Sequence, residues 1–283
     1  QSGFIMKNNP YTLQLGRQLV EIPFQMVHHL LVARPVAPSL KIRFGSAWRQ
    51  YMLCWVPPGP DVAGRSIIIL YHGGGWRLGW PGLFPTLAEF FLRQGFPVVM
   101  PAYRLAPFAS YRHMREDLSL ALVKTLEWSR SMGWGDRKLL AGGVSAGATL
   151  AAHLVFDRQA LANAGLDQRV FSGYFSIAGP LDLDRMPDFR AIRSYAGGKP
   201  GSPAFRDANP VHYLQAQEFL PVLMMHSPED AIVPYESALA FYQKYTGPKS
   251  EIVLKGKTHL GSMRFATDDL ETAAVFKTWL EGK

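Results

Sequence analysis

The chain has 283 residues, of which 48% are hydrophobic and 18% charged, a composition that fits a globular protein with room for one large core and excludes a disordered one. Its formal charge of +8 comes from scattered basic residues with no dense Lys/Arg run, so no nucleic-acid partner is expected. A single cysteine excludes an internal disulfide framework and a multi-cysteine metal site, and no apolar run approaches the roughly 20 residues of a membrane span.

The opening Gln1-Ser2-Gly3 resembles a tag remnant, Met6 is a candidate start, and no signal peptide is visible; a cytoplasmic location is therefore expected rather than secretion. Residues 10–32 place Leu15, Leu19, Ile22, Met26 and Leu30 at helical intervals, interrupted by Pro23. This amphipathic stretch predicts a kinked or paired helix that covers the active site or lies on a membrane surface. The runs LKIRF and YMLCWV then read as an antiparallel pair at a sheet edge, with Cys54 in a structural position.

From about residue 65 the chain alternates short apolar runs with amphipathic stretches. Strands are predicted at 67–71, 98–102, 138–143, 174–178, 222–226 and 251–255, and helices from His113 to Met132 and from near Gly82, Ala146, Tyr235 and Thr267. Runs buried on both faces and alternating with helices predict an α/β fold with a mostly parallel central sheet and helices on both faces. Residues 180–212, rich in Pro, Gly and Asp, read as a long loop or small insertion of the kind that shapes a binding site.

Two glycine-rich motifs carry the chemistry. The strand IIILY runs into His72-Gly73-Gly74-Gly75-Trp76. Consecutive glycines at a strand end can turn backbone N–H groups toward one point, as an oxyanion requires. Gly74 and Gly75 are the candidate donors, with Ala146 as a third; Gly73 shapes the turn, and His72 is expected to be structural. A phosphate loop would need a Lys-Ser or Lys-Thr ending, which is missing here. Trp76, Trp80 and Phe84 follow the loop and are candidates for an apolar substrate pocket, with core packing as the competing role.

The second motif, Gly143-Val144-Ser145-Ala146-Gly147, joins an apolar strand to the alanine-rich stretch ATLAAHLVF. A strand, a tight turn and a helix form a nucleophile elbow, with Ser145 projecting from a strained turn at a helix N-terminus. The competing reading is a glycine turn in which Ser145 merely caps the helix.

HGGGW at 72–76, YRLAP at 103–107 and GGVSAGA at 142–148 together resemble the hormone-sensitive-lipase-like branch of the α/β-hydrolase esterases, and also the arylformamidases (kynurenine formamidases). The resemblance runs from about residue 65 to the C-terminus. It departs at Ala102 and Phe108, where many of those esterases carry acidic residues. It implies an α/β-hydrolase fold over 1–283 as a single domain, with 1–40 and 180–212 as candidate cap elements. It also implies the chain order Ser, Asp or Glu, then His. His28, His29, His72 and His113 precede the serine, His153 follows too closely, and His212 and His226 precede the best acid, which leaves His259 as the base. The stretch PVLMMHSPEDAIVP resembles the family's strand-end pattern of Asp followed by Val-Pro. Asp230 is the candidate acid, with Glu229 the alternative; Asp182, Asp184 and Asp207 read as solvated or capping residues.

The expected activity is cofactor-free and metal-free hydrolysis of a small carboxylic ester through an acyl-enzyme. Amide hydrolysis of the arylformamidase type is the second reading, and a non-catalytic binding module on the same fold is the rival from another class. A peptidase of this fold would need an additional domain for which the chain has no room. The expected partner is a small-molecule ester, with a homodimer left open.

Overall fold

The computed structural model describes residues 14–18, 20–21, 36–58, 64–135 and 137–283; the remainder of the amphipathic stretch at 10–32 lies outside the described residues. Eight strands form one sheet: β1 (Leu40–Arg43), β2 (Tyr51–Trp55), β3 (Ile67–Tyr71), β4 (Val98–Pro101), β5 (Leu139–Val144), β6 (Phe171–Ile177), β7 (Val222–His226) and β8 (Lys249–Val253). Their spatial order is β1-β2-β4-β3-β5-β6-β7-β8. The expected antiparallel edge is formed by β1 on β2 and β2 on β4, and the other pairs are parallel.

Alternation along the strands divides the core between the two faces. In β3, Ile67, Ile69 and Tyr71 point into one cluster, and Ile68 and Leu70 into the other. The first cluster lies under α2 (Tyr111–Ser131) and α3 (Ala146–Phe156), where Met114, Leu118, Leu122 and Leu150 pack. The second lies under α1 (Pro85–Leu92) and the C-terminal helix Leu270–Leu280, where Phe91 and Phe276 meet Phe175 of β6. Both faces are covered, so the central strands read as continuous apolar runs. Cys54 is buried within β2, and burial pushes its thiol up to about 12.

Three of the differences from the sequence reading concern local context. β8 lies two residues earlier than expected, because its ladder on β7 ends at His226↔Val253. The C-terminal helix starts at Leu270, after a separate turn of helix at Phe265–Asp268. Residues 180–212 are not a plain loop: they hold helical turns at Leu183–Arg185, Arg190–Ala196, Pro203–Asp207 and Pro210–Tyr213. Short-range caps organise them, with the Asp182 carboxylate accepting from the Asp184 N–H and the Ser202 hydroxyl from the Phe205 N–H. The buried Asn209 ties the segment together by donating to Asp182 and Asp184 and accepting from the Leu183 N–H. Among the described residues, no helix is long and apolar enough to cross a membrane.

The crossing of α3 over β3 depends on glycine. A Cβ on Gly147 would stand 2.1 Å from the Tyr71 carbonyl oxygen and 2.6 Å from that of His72, both of them backbone atoms that cannot swing aside. Gly147→Ala is therefore expected to cost about 3 kcal/mol or more, since overpacking against backbone is relieved only by moving the helix. Equilibrium urea unfolding checks this, and an unchanged midpoint would contradict it.

Candidate active site

The site is assembled from four chain segments at the C-terminal edge of the parallel strands. Ser145 stands between β5 and α3 with φ +52° and ψ −125°, a backbone conformation that L-residues rarely adopt. Its N–H donates to the Ile177 carbonyl of the neighbouring strand at 2.8 Å, which anchors the turn. A Cβ on Gly143 would meet the Gly147 carbonyl carbon at 2.2 Å, so the elbow closes only with glycine there. The Ser145 side chain makes no capping bond to the helix it precedes. Its hydroxyl lies instead 2.9 Å from His259 Nε2.

His259 Nδ1 lies 2.6 Å from Asp230 Oδ2. The other oxygen of Asp230 accepts the N–H groups of Ile232 and Val233, each at 2.9 Å. The carboxylate is fully buried. Burial by itself would raise its pKa, but His259, followed by His226, holds it well below the ordinary carboxylate range. His226, at the end of β7, lies with Nε2 3.4 Å from the same carboxylate oxygen and 2.9 Å from the Val233 carbonyl. Glu229, the alternative acid, faces away: its carboxylate accepts from the Ser227 hydroxyl at 2.9 Å and the Gly256 N–H at 3.0 Å. His259 differs slightly from its expected loop setting. It opens a short helix, His259–Met263, capped by the Thr258 hydroxyl on the Gly261 N–H.

The HGGGW loop runs beside the serine, since a Cβ on Gly73 would stand 3.4 Å from the Ser145 Cβ. Gly74 and Gly75 have φ +125° and +58°. Among the described residues, neither N–H is taken by a backbone or side-chain acceptor. The Gly74 carbonyl turns back to accept from the Arg77 and Leu78 N–H groups, at 3.1 and 3.0 Å. A side chain at Gly74 would strike the Leu78 carbonyl oxygen at 2.2 Å. Ala146, the first residue of α3, supplies a third N–H at the helix N-terminus.

His72 is structural, as expected. It is buried, stacks on Tyr103 at 4.3 Å, and its Nδ1 contacts the Gly73 carbonyl at 2.8 Å. Burial lowers its pKa to about 3. Likewise His153, on α3 behind the elbow, lies between the Tyr111 hydroxyl and the Ala208 carbonyl, and burial lowers its pKa to about 4. Both stay neutral in the native state and regain an ordinary pKa near 6.5 on unfolding. Below about pH 6.5 the unfolded chain therefore takes up protons that the native protein refuses, and stability falls as the pH drops toward about 4. Urea midpoints measured from pH 7.5 to 4.5 should fall steadily, and a flat profile would contradict this. Tyr103 and Arg104 brace the loops as expected. The Tyr103 hydroxyl donates to the His72 carbonyl, and Arg104 pairs with Asp117 and Glu116.

A cavity of about 1540 Å³ opens over Ser145 and His259. Trp76 and Phe84 line it, but Trp80 does not. Trp80 is 45% exposed and precedes the Pro81–Leu83 turn, whose proline at the first position directs the chain inward and leaves the indole outside. Trp76 is also core, 3% exposed and stacked on Tyr195 at 4.2 Å, so the two competing roles meet in one residue. Met186, Phe189, Ala191 and Ile192 of the insertion form part of the wall, together with Leu15 of the N-terminal segment.

One contributor has no signal in the sequence. Gln18 is 3% exposed and reaches the loops of both Asp230 and His259. Its partners lie more than two hundred positions away along the chain, so neither periodicity nor a motif points to it.

The sheet order, the elbow after β5 and the loops that carry Asp230 and His259 after β7 and β8 define an α/β-hydrolase fold. A family model described as BD-FAE matches residues 55–245, and the chain belongs to that family. No curated protein matches the sequence closely enough to count as a relative. Among solved structures, a truncated carbohydrate esterase from gut microbiota is similar with a TM-score of 0.73 at 16% identity, covering 89% of this chain and 99% of its own. Esterase B from Lactobacillus rhamnosis (HN001) gives a TM-score of 0.73 at 15% identity, covering 96% of this chain and 95% of its own. An acetyl ester-xyloside bifunctional hydrolase from Caldicellulosiruptor lactoaceticus gives 0.72 at 14% identity, covering 88% and 98%. At such identities the likeness is one of fold.

Proposed function

We propose that this protein is a serine hydrolase of carboxylic esters, with Ser145 as nucleophile, His259 as general base and acid, and Asp230 as the carboxylate that orients the imidazole. The observation that carries this reading is the unbroken relay from Ser145 Oγ to His259 Nε2 and from His259 Nδ1 to Asp230, at 2.9 and 2.6 Å, beside unspent N–H groups. The esterase names of the structural neighbours support it.

The mechanism follows from the geometry. His259 Nε2 takes the hydroxyl proton as Ser145 Oγ attacks the ester carbonyl. The ionised Asp230 fixes the tautomer with Nδ1 protonated, so Nε2 is the free base, and it then stabilises the imidazolium. The N–H groups of Gly74, Gly75 and Ala146 receive the oxyanion, a contribution of about 3 kcal/mol per donor. The imidazolium protonates the departing alcohol, leaving an acyl-Ser145. Water, deprotonated by His259, attacks the acyl carbonyl; Ser145 recovers its proton and the carboxylic acid leaves. No step calls on a metal or an organic cofactor.

The cavity suits an apolar acyl or alkoxy group, since Leu83, Phe84, Leu105, Met186, Phe189 and Ile192 line it. In this reading the N-terminal segment and the 180–212 insertion act as cap elements on a single hydrolase domain. The substrate is a small molecule and not nucleic acid, since the basic residues are scattered with no dense Lys/Arg run.

Initial rates on p-nitrophenyl acetate through hexanoate, set against N-formylkynurenine, test the substrate class. Esters should be turned over with the higher kcat/KM; faster hydrolysis of the formamide would replace the ester reading with the arylformamidase one. Covalent labelling by a fluorophosphonate should occur in the wild type, and its absence would favour a binding module.

A further inference from the structure

We propose that Gln18 is a positioning residue of the triad, whose carboxamide pins the turn carrying Asp230 to the helix that begins at His259; this rests on the ester-hydrolase reading of the site. Its Nε2 donates to the Glu229 carbonyl at 2.9 Å, and its Oε1 accepts the N–H of Ala231 at 3.3 Å and that of His259 at 3.2 Å. The first two partners flank Asp230 in sequence, and the third is the backbone of the base itself. One buried side chain thus spans the ends of β7 and β8.

The chemistry of the three partners defines the side chain required. One is a carbonyl and two are N–H groups, so the spanning group must present a donor and an acceptor at once, which a carboxamide does. The His259 N–H belongs to the first turn of its helix and has no partner within that helix. Ala231 follows the acid directly. Without Gln18, the N–H groups of Ala231 and His259 would be left unpaired in a buried place, or would move to find water, and the Glu229 carbonyl would keep Gln14 as its donor. Movement of either loop acts on the triad, because the 2.6 Å contact between Asp230 and His259 is made across them.

Two neighbouring contacts reinforce the clamp. Gln14 donates to the same Glu229 carbonyl at 3.1 Å. On the other side of the turn, the Glu229 carboxylate accepts the Gly256 N–H at 3.0 Å, joining the acid turn to the loop that precedes His259. Gln18 is the member of this set that touches both loops and is itself buried. It places the N-terminal segment within the working site, where Leu15 of the same segment faces the cavity.

The test uses the full chain with Gln18→Met, which keeps length and packing and removes the hydrogen bonds, and Gln18→Asn, which keeps the amide but falls one methylene short. Arg17→Gln, on the exposed side of the same segment, controls for general disturbance. Both Gln18 variants should lower kcat by about 10- to 100-fold, the size of effect expected from a loosened catalytic geometry. KM should shift less than about twofold, and fluorophosphonate labelling should slow in parallel. The low-field proton resonance of His259 Nδ1–H should be present in the wild type and broadened or lost in Gln18→Met. Circular dichroism identifies a variant that fails to fold, and the other then carries the comparison. Folded variants with kcat within about twofold of the wild type, a rise in KM alone, or an unchanged low-field resonance would each overturn the role. Failure of the wild type to label while the resonance still responds to Gln18→Met would count against the ester reading and leave the clamp standing.

Discussion

Ser145→Ala is expected to reduce kcat on a p-nitrophenyl ester by about 10⁶-fold, to the residual rate that binding and the oxyanion donors sustain. The loss is large because no neighbouring group can substitute. Among the described residues, His259 Nε2 has the Ser145 hydroxyl as its partner, and without it the base can at best deprotonate a water that is less well placed. Fold stability should change little, since the Ser145 side chain caps nothing and the strained turn is held by its backbone bond to Ile177. Steady-state kinetics and fluorophosphonate labelling of the purified variant check this. Labelling that survives the substitution would place the nucleophile elsewhere.

Asp230→Asn is the second large effect, expected to lower kcat by about 10⁴-fold. Asp230 Oδ1 accepts two N–H groups, from Ile232 and Val233. In the variant the amide oxygen must take that place, which turns the NH₂ group toward His259 Nδ1. A donor facing Nδ1 selects the tautomer protonated at Nε2, the atom that must be unprotonated to receive the serine proton. The triad would then keep its shape and lose its base. Glu229→Gln should leave chemistry far less affected, since that carboxylate serves the Ser227 hydroxyl and the Gly256 N–H. If the two variants lost activity equally, the assignment of the acid would be wrong.

Much of this site could be read locally. The elbow was legible because a tight strand–helix turn needs small residues on both sides of the serine, and Gly143 and Gly147 each face backbone within 2.2 Å. The HGGGW loop was legible because positive φ at Gly74 leaves glycine as the residue that fits. Other features were not. That Trp76 packs on Tyr195 depends on a residue more than a hundred positions away. The way the 180–212 segment is tied together depends on Asn209, whose bonds to Asp182 and Asp184 form only after the segment folds back on itself.

The sequence alone determined the alternation of buried strands and helices and the two glycine turns, because each is set by sterics within a few residues; Asp230 and His259 were singled out by the chain order that the family resemblance implies. Only the tertiary structure decided the distances between them, the second histidine beside Asp230, and the approach of Gln18 to loops more than two hundred residues distant. Contacts of that kind follow from how the sheet edge brings loop ends together, and a side chain that meets its partners across such a separation leaves no period or spacing behind it in the chain.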